Sequence, residues 1–264
     1  MAVPIQVHGH RGARAVLPEN TIPAFAYAID QGVDAIEMDI AVTRDDVLVI
    51  SHDPVLNPEI CRSPGGSLVI HELTLAQLRL WDCGSLINPR FPNQKTVPGT
   101  PVPSLEEVFT LANRGNFLFN IEAKLFPDHP ELTPPPERFA ELLLQSINRH
   151  GLRQRVIVQS FDFRILIAMR HLAPDVRLAA LYEDPNLGDF VSVAASARAQ
   201  IIAPEKGLVT PARVVAAHRA GLQVIPWTAN TPPAWDSLMA AGVDAIISDD
   251  PAALITYLKK KEVR

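Results

Sequence analysis

The chain has 264 residues, 47% apolar and 20% charged, with a formal net charge of −5. That length suits one α/β barrel or two small domains, and the apolar share can bury a large core. The acidic balance gives no electrostatic reason to expect nucleic acid or an anionic membrane as a partner.

Residues 5–10 form a short apolar run ending in His10-Arg11-Gly12, a strand that enters a turn. Residues 1–13 have neither a basic start nor a long apolar run, so no signal peptide is expected, and no apolar stretch is long enough to span a bilayer. A helix opens at Pro18-Glu19-Asn20-Thr21, with Asn20 or Thr21 as N-cap and Ala24, Phe25, Ala28 and Ile29 on its buried face. Gly32 ends it. Residues 32–53 then read as strand, polar turn and strand. Glu37 and Asp39 share one face of the first strand, because successive side chains alternate sides. The second strand, residues 47–51, delivers His52 and Asp53.

Residues 54–101 break the rhythm. They are rich in Pro, Gly and Asn, hold one helical patch at 73–81, and read as an insertion over the active face without a core of its own. Both cysteines, Cys61 and Cys83, lie here. So few cysteines argue against a disulfide framework and for a reduced, cytoplasmic setting.

Alternation then resumes. Ser104 caps a helix over 105–113. Strands are predicted at 116–124, 156–161, 177–182, 200–203, 223–228 and 245–248. Helices are predicted at 136–150, 163–172, 190–197, 211–220, 233–240 and 251–259. Gly32-Val33-Asp34-Ala35-Ile36 recurs as Gly242-Val243-Asp244-Ala245-Ile246, each time a helix end feeding a strand. Such alternation means a doubly wound sheet or a TIM (β/α)8 barrel; polar groups at the ends of many strands favour the barrel, with a small insertion after the second strand region.

Asn120, Glu122 and Lys124 form a polar face on one strand. An internal Glu122–Lys124 ion pair would explain it alone, but adding Glu37 and Asp39 makes three converging carboxylates, which need a counter-charge. Oxygen donors of this number suit Mg²⁺ or Ca²⁺. His10 and His52, at neighbouring strand ends, suit acid–base work at phosphorus. Arg11 could grip a phosphate oxygen or form a surface ion pair. His8-x-His10 also resembles the opening of zinc amidohydrolase barrels, but the middle strands at 176–182 and 199–205 supply no further histidines. His8 therefore reads as a hydrogen-bonded core residue. Trp227 could wall the substrate or simply pack. Gln159 and Glu205 read as structural, and Asp249-Asp250 before Pro251 as a helix cap.

The block from His10 to Pro54, with HRG (10–12), PENT (18–21), E-x-D (37–39) and HD (52–53), closely resembles the signature of the glycerophosphodiester phosphodiesterase family. NIEAK (120–124), QSF (159–161) and WT-x-N (227–230) match it too, so the resemblance covers nearly the whole chain as one domain, residues 1–264, with the insertion at about 53–101. It implies a TIM barrel and a divalent cation, Mg²⁺ or Ca²⁺, held by Glu37, Asp39 and Glu122. It also implies His10 and His52 as acid and base, with Arg11 and Lys124 neutralising the phosphate. The implied reaction converts a small-molecule glycerophosphodiester to sn-glycerol 3-phosphate and an alcohol, the substrate's own 2-hydroxyl attacking phosphorus to give a cyclic phosphate that water opens. Lysophospholipase D-type hydrolysis at the same site is the alternative, for which Leu68, Val69, Leu86, Ile87 and Phe91 leave room. The family's usual Asp-Gly turn is Asp45-Asp46 here, which predicts a slightly altered turn.

Overall fold

The computed structural model describes residues 4–264, and strands and helices alternate along it. β1 (Gln6–Gly9) leads through α1 (Ile22–Asp30) to β2 (Ala35–Val42) and β3 (Leu48–Ile50). α2 (Leu75–Leu78) and α3 (Leu105–Phe109) follow, then β4 (Leu118–Ala123), α4 (Pro136–Arg149), β5 (Val156–Ser160) and α5 (Phe163–Leu172). β6 (Arg177–Tyr182), α6 (Phe190–Ser196), β7 (Ile201–Pro204) and α7 (Pro211–Arg219) come next. β8 (Gln223–Val224), α8 (Pro232–Ala241), β9 (Ala245–Ser248) and α9 (Pro251–Lys260) complete the series.

Eight strands pair in the order β8-β7-β6-β5-β4-β2-β1-β9, all in parallel. Hydrogen bonds from Asp244 N to Val224 O (3.0 Å) and from Ile247 N to Pro226 O (3.1 Å) bring β9 round to the β8 segment. This is the expected barrel. Its helices follow from local sequence. Thr21, not Asn20, caps α1, its Oγ1 accepting from Ala24 N at 3.3 Å. In α4, Phe139, Ala140, Leu143 and Ile147 recur at helical spacing and are buried. The outward faces of the strands, Ile36, Met38 and Ile40 among them, pack on the helices as the main core. Inside the ring Ile157, Ala179, Ile201, Ile225, Ala245 and Ile247 form a second cluster.

β3 stands outside the ring. It runs back antiparallel along β2, Ile50 opposite Ile40, so the chain returns toward the barrel mouth before it reaches His52. In the connecting turn Asp46 adopts the left-handed region at φ 59°, a conformation that Asp tolerates less readily than Gly.

Two expectations about the insertion are overturned. It does bury a cluster of its own, in which Leu56, Ile70, Leu73, Leu78 and Trp81 pack against Ala41 and Val49 of the hairpin. Cys61 and Cys83 form a disulfide. They meet because Arg62 and Asp82 exchange backbone hydrogen bonds of 2.7 and 3.2 Å beside them. A small turn-rich segment with few apolar side chains gains most from such a crosslink. The cysteine count therefore no longer argues for a cytoplasmic setting. Among the described residues no helix is long and apolar enough to cross a membrane.

Candidate active site

Strand register places the acidic side chains. Asp39 on β2 lies opposite Glu122 on β4, which lies opposite Gln159 on β5, and Glu37 lies opposite Asn120. Residues level across a parallel ladder point the same way, here into the barrel mouth, because Ile36, Met38 and Ile40 occupy the outer face. All three carboxylates are buried, and one oxygen from each lies within 4.8 Å of the others.

The turn after β1 adds His10 and Arg11. Gly9 and Gly12 let the chain fold tightly. A Cβ on Gly9 would lie 2.2 Å from Gly12 O, and Gly12, at φ +84°, leaves only 2.7 Å to the Ala24 carbonyl carbon. His10 Nδ1 lies 2.5 Å from Asp249 Oδ1, and Nε2 is 3.9 Å from Glu37 Oε2. Arg11 donates its backbone N–H to Glu37 (2.9 Å) and its Nη1 to Glu19 (2.6 Å), with Nε 3.3 Å from Asp39. From β4, Lys124 Nζ lies 2.6 Å from Glu122 and 3.3 Å from Asp39. The internal ion pair considered from the sequence is thus present, but shared with a second carboxylate. His52 arrives from β3 with Nδ1 2.8 Å from Asp53. His10, Arg11, Glu37, His52, Glu122, Lys124 and Trp227 all line one cleft of about 290 Å³. Asp39 lies just beneath them, through its contacts with Arg11 and Lys124.

The electrostatics of the cluster follow from crowding. Burial, then Asp39 and Glu122, push the Glu37 carboxyl well above its usual range. Burial also lifts Glu122 to about 7, Lys124 opposing it and Asp39 adding to it. Burial works against Asp39 too, but Lys124, Arg11 and His52 outweigh it and hold Asp39 well below its ordinary value. Three adjacent carboxylates thus have two cations, too little positive charge to ionise all of them together with ease. Gln159 Oε1 is buried yet accepts no hydrogen bond, and Asp39 Oδ1 has only the Lys124 ammonium, at 3.3 Å and without hydrogen-bond geometry. All-oxygen donors, an uncompensated acidic charge and unused acceptors fit a hard divalent cation.

The Glycerophosphoryl diester phosphodiesterase family profile matches residues 10–253. The chain belongs to this family. A glycerophosphodiester phosphodiesterase from Caldanaerobacter subterraneus subsp. tengcongensis is 31% identical over 258 residues, 96% of this chain and 98% of that one. A crystal structure from Silicibacter pomeroyi that carries the family name superposes with a TM-score of 0.91 at 32% identity, covering 98% and 94% of the two chains. A phosphodiesterase from Oleispira antarctica, solved with the product sn-glycerol-3-phosphate, superposes at 0.83 over 97% of each chain. At 21% identity that likeness concerns the fold alone. The chain is accordingly a phosphoric diester hydrolase, a TIM-barrel member of the glycerophosphodiester phosphodiesterases.

Several site neighbours escaped the sequence reading. Asp250 does cap α9, accepting from Ala253 N at 3.0 Å, but Asp249 does not. Its buried carboxylate contacts His10, Arg14 Nε (2.6 Å) and Asn230 Nδ2 (2.6 Å); burial works against its charge, but His10 and Arg14 outweigh it and hold it far below the usual range. Its place directly after β9 was the available signal. Asn20, read as a cap, donates to Asp39 at 2.9 Å, and Gln159, read as structural, donates to Glu37 at 3.0 Å. Glu205 does behave structurally, bound to Lys206 and to Gly207 N. His8 is fully buried beside Asn120 at 3.4 Å, as expected. Trp227 donates Nε1–H to Ala203 O (2.8 Å) and meets the Phe161 ring edge-on, so it both packs and lines the cleft.

Proposed function

We propose that the chain hydrolyses small-molecule glycerophosphodiesters to sn-glycerol 3-phosphate and an alcohol, using one divalent cation, Mg²⁺ or Ca²⁺, held by Glu37, Asp39 and Glu122. The observation that carries this is the buried three-carboxylate cluster on the floor of a cleft that also holds His10 and His52. When bound, the cation supplies charge stabilisation at the phosphodiester oxygens.

Arg11 and Lys124 neutralise the phosphate from the same floor. Asp249 fixes the His10 tautomer with its proton on Nδ1, leaving the Nε2 lone pair on the cleft side. Burial, with Arg11 and Arg14 close by, lowers His10 to about 4 although Asp249 opposes this, so the ring is neutral and ready to accept a proton. His10 takes the proton of the glycerol 2-hydroxyl as that oxygen bonds to phosphorus, and His52 gives a proton to the departing alcohol oxygen. In the second step the roles reverse. His52 takes a proton from water as it attacks the cyclic phosphate, and His10 returns one to the 2-oxygen. Trp227 forms the apolar wall against the substrate's carbon chain. The all-carboxylate donor set and the buried, non-ligating position of His8 give no support to zinc amidohydrolase chemistry.

The test is release of glycerol 3-phosphate from glycerophosphocholine and glycerophosphoethanolamine, with EDTA, Mg²⁺ or Ca²⁺. His52→Ala and Glu122→Ala should each lower kcat by about 100-fold or more. Metal-dependent turnover confined to lysophospholipids would favour the lysophospholipase D reading instead. No turnover on either class would overturn both.

A further inference from the structure

We propose that Arg90 is a specificity residue, selecting glycerophosphodiesters whose alcohol carries an anionic group such as a second phosphate. The inference rests on the phosphodiesterase reading above. Four cations border the cleft. Arg11 is met by Glu19 and Asp39, Arg14 by Asp249, and Lys124 by Glu122 and Asp39, at 2.6 to 3.3 Å. Arg90 is exposed, and among the described residues no carboxylate lies within 4.0 Å of its guanidinium. It is the surplus charge of the site.

Its position is nevertheless built. Asn88, 9% exposed, accepts from Arg90 N at 3.0 Å and donates to Glu19 at 2.9 Å. Gln94, 4% exposed, donates to the carbonyls of Arg14 (2.7 Å) and Leu17 (2.9 Å). The Arg14 guanidinium lies 5.1 Å above the neighbouring Phe91 ring. Buried amides thus fasten the insertion to the same turn that carries His10 and Arg11, and Arg90 projects from that fastening onto the cleft.

The glycerol arm of every glycerophosphodiester is uncharged, so a charge on Arg90 discriminates through the alcohol. Among the described residues the only carboxylates that line the cleft, Glu37 and Glu122, belong to its floor. Asp53 lines the adjoining recess, where His52 holds it. An ammonium head group therefore meets an unshielded guanidinium and no free acid, whereas an anionic one gains a charge-assisted partner.

The experiment compares kcat/KM for glycerophosphoglycerol phosphate with that for glycerophosphocholine, in wild type, Arg90→Gln and Arg90→Lys. The wild type should favour the anionic substrate, and Arg90→Gln should lower the ratio about fivefold, the upper range for a solvent-exposed charge pair. Arg90→Lys should retain most of the preference, and added salt should shrink it in wild type. A wild-type preference for glycerophosphocholine, or a ratio unchanged by Arg90→Gln, would overturn the assignment. Absence of turnover on both substrates in wild type would overturn the phosphodiesterase reading itself.

Discussion

His10 sits between two acids with different consequences. Asp249 grips its Nδ1 and stays ionised, while Glu37 lies near Nε2 with a raised pKa. Asp249→Asn should keep the fold but lose the charge that orients the ring and pairs with Arg14. We expect kcat to fall about 10- to 100-fold with a smaller change in KM, and the acid limb of the pH–rate profile to move. His8, two residues earlier, gives a stability signal. Burial, opposed by Asp34, lowers it to about 4 from 6.5 in the unfolded chain. The unfolded state then binds the extra proton between these values, so the contribution is full above pH 6.5 and is lost as pH falls toward 4. Urea unfolding at pH 7 and 4.5 should show wild type losing about 2–3 kcal/mol more than His8→Gln. Equal losses would mean that His8 titrates normally. At this scale the sequence was legible where chemistry and spacing coincide, as in Glu37-x-Asp39. It was illegible at Asp249, because an Asp-Asp-Pro run satisfies the rule for a helix cap and only the neighbouring strand end reveals a second task.

The turn between β1 and α1 carries the most chemistry in the fewest residues. Gly12 combines a left-handed backbone with a 2.7 Å approach to Ala24. Gly12→Ala should lower unfolding free energy by at least about 2 kcal/mol, from left-handed strain plus overpacking, and should reduce turnover by moving Arg11. A midpoint unchanged in urea would contradict that packing. Element boundaries were readable where period and punctuation agree. Residues 163–172, 177–182 and 245–248 have the same limits in sequence and structure. The predicted strand at 223–228 shrinks to Gln223–Val224, since the chain beyond it turns to pair through isolated contacts with Glu205 and Ile247. The helical patch at 73–81 shrinks to Leu75–Leu78. Leu75 and Leu78 face the insertion's own cluster, which no local periodicity could announce.

Across the whole molecule, a barrel with alternating elements advertises itself by rhythm, whereas the insertion is held by contacts distant in sequence. Cys61–Cys83 is the clearest case, since two cysteines 22 residues apart say nothing about whether their backbones meet. Closing a loop of that size stabilises by about 3 kcal/mol in the chain-entropy account. Reduction, or Cys61→Ser with Cys83→Ser, should therefore speed amide exchange across residues 54–101 while the barrel strands keep their protection. Uniform loss of protection would mean that the insertion and barrel unfold together.

The most direct test of the central claim joins metal binding to turnover. EDTA-treated protein would be titrated calorimetrically with Mg²⁺ or Ca²⁺, and glycerol 3-phosphate release followed at each occupancy. The account predicts one cation per chain, activity rising in step with its binding, and loss of both in Glu37→Gln. Turnover that continues in EDTA with no cation bound would contradict it.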